Sequence, residues 1–339
     1  MTACVPAVLA VLAGACGSGS ERLRDTLPTQ RGSGSPYAQG GASRAPNTAG
    51  VDAEAGAEEA DALASAETEA ADADLAGCDA SGSIMYLLAD TGVLRTFDPA
   101  LIPTGVPFQI VGPLACTLAD GSPWAQPGNM AIDRAGIGWV TDAVGNLFRW
   151  DPGNATCKQT AFQAGASGFT RMGMGLVGRV DGTETLFVVD NSNGPLTSSG
   201  QGLATIDLVT LRLTLLGNFA APLTGRWAEL AGSADGHLYG FFSGAQSWIA
   251  EIDPSNAALL WNAPVPAALV GSGQAHIAVA AALLGKVLYY FVTNTAAAPS
   301  ADVTAFDITT HATTQALSQI GFNVTGAAVR TCGPTPSSG

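Results

Sequence analysis

Five aspartates set the terms on which this chain can fold. Asp98, Asp151, Asp207, Asp253 and Asp307 each close the same phrase: an apolar run, a Gly-bearing turn, a second apolar run, then the Asp. The copies are Ile84–Leu88 with Val93–Phe97, Gly138–Thr141 with Leu147–Trp150, Leu186–Val189 with Leu203–Ile206, Leu238–Phe242 with Ile249–Ile252, and Val287–Val292 with Val303–Phe306. Successive aspartates are 53, 56, 46 and 54 residues apart. A further strand-like run follows each Asp, at Phe108–Val111, Lys158–Phe162, Leu211–Leu216, Ala258–Trp261 and Thr313–Leu317. Another precedes each phrase from the second on, at Asn129–Asp133, Arg171–Val177, Trp227–Gly232 and His276–Ala281. The first phrase has none before it, and one run, Gly326–Arg330, is left over at the C-terminal end.

Four-stranded units repeated at this period are the signature of a radial array. The expected fold is all-β: a five-bladed β-propeller of four-stranded blades over 78–333. The leftover C-terminal strand completes the first blade and closes the ring, leaving no open pairing edge between first and last blades. Blades covered on both faces explain runs such as Met85-Tyr86-Leu87-Leu88 and Leu288-Tyr289-Tyr290-Phe291, which lack polar alternation. Asp181-Gly182 and Asp235-Gly236 supply tight hairpin turns. The recurring aspartates, three of them followed by Pro, read as turn formers that bond their own backbone.

Composition agrees with this and narrows the function. Charged residues are 12% of the chain, with 42 Gly and 19 Pro, which suits strands and turns rather than long helices. The formal net charge of −14 argues against a phosphate-coating nucleic-acid binder. Ten of the 28 acids lie in 51–79 with no base among them. Together with the Gly, Ser, Pro and Thr of the preceding residues, this predicts a disordered tether over 16–77, with too little apolar surface to offset the entropy of ordering. Residues 334–339 are expected to form a disordered tail.

At the N-terminus, the apolar run Val5–Ala13 is far shorter than a membrane span and is followed by Ala13-Gly14-Ala15-Cys16. Leu12-Ala13-Gly14-Ala15-Cys16 resembles a bacterial lipoprotein signal. The resemblance implies a signal peptide over 1–15, lipid attachment at Cys16, and a protein held to the outer or cytoplasmic membrane surface. Ala13-Gly14-Ala15 also fits ordinary secretory cleavage, which would give a secreted protein. Four cysteines lie beyond the leader: Cys78, Cys116, Cys157 and Cys332. An even set in an exported chain favours disulfides. The expected pairs are Cys78–Cys332, because ring closure brings those ends into one blade, and Cys116–Cys157. No C-x-x-C occurs and no His stands at ligand spacing from a Cys, so neither a metal nor a cofactor is expected.

The unit from Met130-Ala131-Ile132-Asp133 through Leu147-Phe148-Arg149-Trp150-Asp151-Pro152 resembles an NHL or gluconolactonase-like propeller repeat. The Asp-Pro ends are similar to those of quinoprotein-type propellers. The resemblance implies the blade and not an activity. Gly173, Gly175 and Gly178 match G-x-G-x-x-G, but a hairpin rather than a helix follows, so they read as an inner strand where backbones crowd the axis. The stretch from Asp190 to Gly194 lacks the sixth-place Gly and the closing acid of a calcium loop.

Candidate ligand residues follow from where inner strands begin: Asn129, Arg171, Arg226, Trp227, Glu229 and His276. Arg and Trp on one rim suit a carbohydrate or protein ligand. Glycoside hydrolysis needs paired carboxylates, and only Glu229, with Asp133 further along its own strand, is available there. No catalytic residue is assigned. The expected function is a non-catalytic binding or interaction module acting as a monomer, with a hydrolase or lyase acting on extracellular carbohydrate or lactone as the alternative.

Overall fold

The computed structural model describes residues 84–194, 199–270, 276, 278–294 and 300–332. The expected signal peptide, Cys16, the tether, Cys78 and the tail lie outside the described residues. The chain opens with β1 (Met85–Ala89), β2 (Val93–Phe97) and β3 (Phe108–Pro113). Next come β4 (Cys116–Thr117), β5 (Pro127–Ile132), β6 (Gly138–Asp142), β7 (Leu147–Asp151) and β8 (Thr156–Gln159). The third group is β9 (Met172–Gly178), β10 (Glu184–Asp190), β11 (Leu203–Ile206) and β12 (Leu213–Gly217). The fourth is β13 (Ala228–Gly232), β14 (Leu238–Phe242), β15 (Trp248–Ile252) and β16 (Leu259–Pro264). The fifth is β17 (Ala278–Leu284), β18 (Val287–Thr293), β19 (Asp302–Asp307) and β20 (Thr313–Leu317), and β21 (Val324–Val329) ends the series.

Each group forms one antiparallel blade, and β21 pairs with β1 to complete the first in the order β21-β1-β2-β3. The innermost strands β21, β5, β9, β13 and β17 contact one another in sequence around the axis, with β17 returning to β21. The protein is therefore a five-bladed β-propeller closed by its C-terminal strand, as the repeats predict. One strand is new. β4 adds to the outer edge of the second blade, parallel to β8, with Cys116 opposite Cys157. These two cysteines form the expected disulfide, with Cα atoms 4.4 Å apart. Cys332 is also disulfide-bonded.

The core is divided among the seams. Among the described residues, five apolar clusters each join two adjacent blades. Successive side chains on a strand point to opposite faces, so they enter different clusters. Phe242 packs toward the third blade and Phe241 toward the fifth. Leu147 and Phe148 divide in the same way between the third and first blades. This double coverage removes the polar alternation that a half-exposed strand would show.

Crowding at the axis explains the glycines. A Cβ at Gly173 would run into the carbonyl oxygen of Ala228, and one at Gly232 into that of Leu176. The G-x-G-x-x-G match is the inner strand β9, not a phosphate loop. The recurring aspartates make the predicted turns. Asp207 Oδ1 accepts from the backbone N–H groups of Val209 and Thr210, Asp253 Oδ1 from that of Ser255, and Asp307 Oδ1 from those of Thr309 and Thr310. In the second to fifth blades, the residue four places after the Asp takes a left-handed conformation: Ala155, Leu211, Ala257 and His311. The first blade departs from this. Asp98 caps a 3-10 helix over Pro99–Thr104 by accepting from the Ala100 N–H.

Candidate functional site

The middle of the axis is a narrow channel of about 20 Å³, lined by apolar residues and backbone of all five inner strands. Met130, Met174, Leu230, Leu283 and Val329 are among its walls. Such a space holds about one water and no ligand. Toward the end where the inner strands begin, the axis opens into a cavity of about 100 Å³. Asn129, Arg171, Trp227 and Glu229, four of the sequence-derived candidates, line it together.

Glu229 is one of two buried acids lining this cavity, 4% exposed, the other being Asp142. Glu229 stands on β13 opposite Phe241 of β14. Its Oε2 accepts from Asn129 Nδ2, and its Oε1 lies 3.5 Å from Asn191 Nδ2. Both amides are oriented by backbone. Asn129 Oδ1 accepts from the Met130 N–H at 2.6 Å, and Asn191 Oδ1 accepts from the Ala228 N–H at 2.9 Å. Asn129 therefore turns its NH₂ toward the glutamate, while the Asn191 NH₂ donates to the Ala228 carbonyl at 2.9 Å and reaches the glutamate at the longer distance. Burial pushes the Glu229 carboxyl well above the usual carboxylate range, against the opposing pull of the Arg171 guanidinium. Arg171 is exposed, and its side chain makes no hydrogen bond or salt bridge among the described residues. Trp227 is half-buried in the wall.

The other two candidates lie elsewhere. Arg226 does not line the cavity. Its Nε donates to the Pro222 carbonyl at 2.8 Å and its Nη1 to the Gln246 carbonyl at 2.9 Å, which pins the loop before β13. His276 also faces away, buried at the seam between the fourth and fifth blades beside Phe241. Its Nδ1 is 2.8 Å from Ser243 Oγ and its Nε2 is 2.9 Å from the Val270 carbonyl. Nε2 must carry the proton to meet a carbonyl, so Nδ1 accepts from the serine. Burial lowers the imidazole pKa, with the Val270 contact opposing. The position relative to the strand explains the difference. Arg171 and Trp227 stand one residue before β9 and β13, whereas Arg226 and His276 stand two before β13 and β17.

Sequence reasoning missed Thr141, Asp142 and Asn191. All lie where a second strand, β6 or β10, returns to the end at which its inner partner starts. Antiparallel pairing supplies that signal: Thr141 Oγ1 accepts from the Asn129 N–H at 3.0 Å. Asp142 does not form a catalytic pair with Glu229. Its Oδ1 accepts from the Val144 and Asn146 N–H groups and its Oδ2 from Asn146 Nδ2, so both oxygens serve its own loop. Asp133 lies past the far end of β5, where it accepts from the Ile137 N–H and Trp139 Nε1. Asp190 bonds the Ser192 and Gln201 N–H groups as an ordinary loop anchor. Among the described residues, no group of three or more His, Cys, Asp or Glu could hold a metal ion. No family model matches the chain, and no curated protein matches it in sequence.

Proposed function

We propose that the protein is an exported binding module, held to a membrane surface by a lipid at Cys16, that takes a ligand in the axial cavity. The observation that carries this reading is the cavity itself. A half-buried Trp, an Arg without a side-chain hydrogen bond or salt bridge among the described residues, and oriented amides converge where the inner strands start, and a narrow constriction closes the axis beneath them. Polar groups of this kind on an otherwise apolar scaffold are what orient a small ligand. Carbohydrate and protein are the ligand classes such a rim suits, and the domain acts as a monomer.

Hydrolase or lyase activity is the weaker reading. It has the raised Glu229 carboxyl as a proton donor, but the second carboxylate of the cavity is committed to its loop. Screening extracellular glycans and peptides against the full chain and Trp227→Ala tests the proposal. A ligand held about fivefold more weakly by the variant supports it, in line with the ~1 kcal/mol typical of an aromatic contact. Release of product that stops in Glu229→Gln would replace the binding reading with the enzymatic one. Palmitate incorporation that persists in Cys16→Ala would remove the anchor.

A further inference from the structure

We propose that the axial cavity selects a sugar acid, with the Arg171 guanidinium taking one oxygen of the ligand carboxylate and the Glu229 carboxyl donating a hydrogen bond to the other. This rests on the binding reading above and adds the ligand's charge and class to it.

Few side chains of the cavity retain an oxygen able to accept a hydrogen bond from a ligand. The oxygens of Asn129 and Asn191 are occupied by backbone N–H groups, and the Thr141 hydroxyl oxygen by the Asn129 N–H. Both Asp142 oxygens are occupied by its loop. Apart from the exposed Gln126 amide and the Thr325 hydroxyl, the side chains of this wall therefore offer donors: the second N–H of the Asn129 amide and the Arg171 cation, the Asn191 NH₂ being spent on the Ala228 carbonyl at 2.9 Å and on Glu229. A neutral polyol, whose hydroxyls need acceptors as well as donors, is poorly served. A cationic ligand would face Arg171. An oxyanion matches both the charge and the donor pattern.

Glu229 would repel an anion if ionised, so its protonation state decides the site. Burial favours the neutral acid, and its Oε1 has only the long 3.5 Å contact from Asn191, which leaves that oxygen to carry the proton into the cavity. The resulting contact is O–H···O⁻, a charge-assisted bond. Where free Glu229 is ionised, each ligand bound takes up one proton from solvent. No other group nearby replaces this role. The neighbouring strands β5, β9, β14, β17 and β21 carry no titratable side chain apart from Tyr239, which lies toward the other end of β14. Arg171, Asp142, Asp190 and His276 stand at strand ends; the last three have their polar atoms engaged. The volume of about 100 Å³ admits the acid end of a ligand and not a folded peptide segment. The Trp227 indole suits the C–H face of a pyranose beside it.

Calorimetry on the full chain tests this with glucuronate, glucose, and acetyl-diglycine as a carboxylate without a sugar ring, from pH 5.5 to 8. Glucuronate is expected to bind at least tenfold more tightly than either comparison ligand, and Arg171→Met to remove that preference while leaving the melting temperature unchanged. Wild-type affinity should fall by up to tenfold per pH unit above the titration of Glu229. Glu229→Gln, whose amide donates at every pH, should bind with a flat profile. Glucose binding as well as glucuronate, tighter binding of the peptide acid, or an unchanged pH slope in Glu229→Gln each overturns the proposal. Equal sugar binding that is lost in Trp227→Ala leaves the binding module intact and removes only the acid selectivity. Loss of all ligands in the wider screen removes both.

Discussion

Each end of the propeller holds a glutamate drawn out of solvent, Glu229 buried at one and Glu184 half-buried at the other, and the two residues do opposite things. At the far end Glu184, the first residue of β10, accepts from the Arg134 backbone N–H at 2.9 and 3.1 Å and from the Thr331 hydroxyl. It ties the second blade, the third and the residues after the closing strand to one point. Arg330 adds to this by donating from Nη2 to the Arg134 carbonyl at 2.7 Å. At the near end Glu229 has only amide partners and faces a cavity. Burial raises both carboxyls above their ordinary range. An acid raised by desolvation is thus not by itself a functional signal. What separates the two is whether neighbouring backbone groups have satisfied it.

The largest expected effect tests what the ends share. Gly173→Ala near the cavity and Gly232→Ala at the far end each force a Cβ into a neighbouring carbonyl. Each should cost about 3 kcal/mol in urea unfolding, since backbone cannot yield as a side chain does. A much smaller cost at one end would mean that the ring is looser there and that the comparison is one of backbone, not of chemistry. Next, Glu184→Ala should lower stability by about 2 kcal/mol, the scale of hydrogen bonds to a charged group, without changing ligand binding. Altered affinity would show that the far end is coupled to the cavity.

The smallest effect concerns pH. A carboxyl raised in the folded state contributes stability that is full below the unfolded pKa and is lost as pH rises through the folded one. Wild-type stability should therefore decline above about pH 4.5. Glu229→Gln should remove most of that decline and gain about 1 kcal/mol at pH 8. The residual slope belongs to Glu184, whose partners oppose its burial. Equal flattening by Glu184→Gln would erase the distinction between the ends. Asp307, held at about 2 by the Thr309 hydroxyl and its turn N–H groups, acts with the opposite sign and only in acid.

Most of the fold was legible because the aspartate turns and hairpin glycines punctuate the chain at every blade. Strand ends were less so. The run expected at Lys158–Phe162 is β8 at Thr156–Gln159, and Phe162 leaves the strand to enter the core between the second and third blades. β4 could not be read: it is two residues long, and its place is fixed by a disulfide rather than by any periodic pattern. Half of the cavity was legible from the inner strands alone. Thr141, Asp142 and Asn191 come from the returning strands, so they needed the pairing register and not only the strand positions. Arg226 and His276 carried the right chemistry one residue too early, where the chain still crosses the blade seams.

The register of the closing strand has a mechanical consequence. Met85 sits directly opposite Val329, so the chain enters and leaves the ring at the same point. With the Cys332 disulfide reduced, force applied between the two termini would open β1 from β21 one rung at a time, the weakest geometry for a sheet. Force applied through the N-terminal side alone would load β1 against β21 and β2 together, with β21 held at its end by Thr331 and Glu184. A protein tethered by that end alone would feel drag as a load shared across the blade, and the seam that makes the ring would not be the place where it tears.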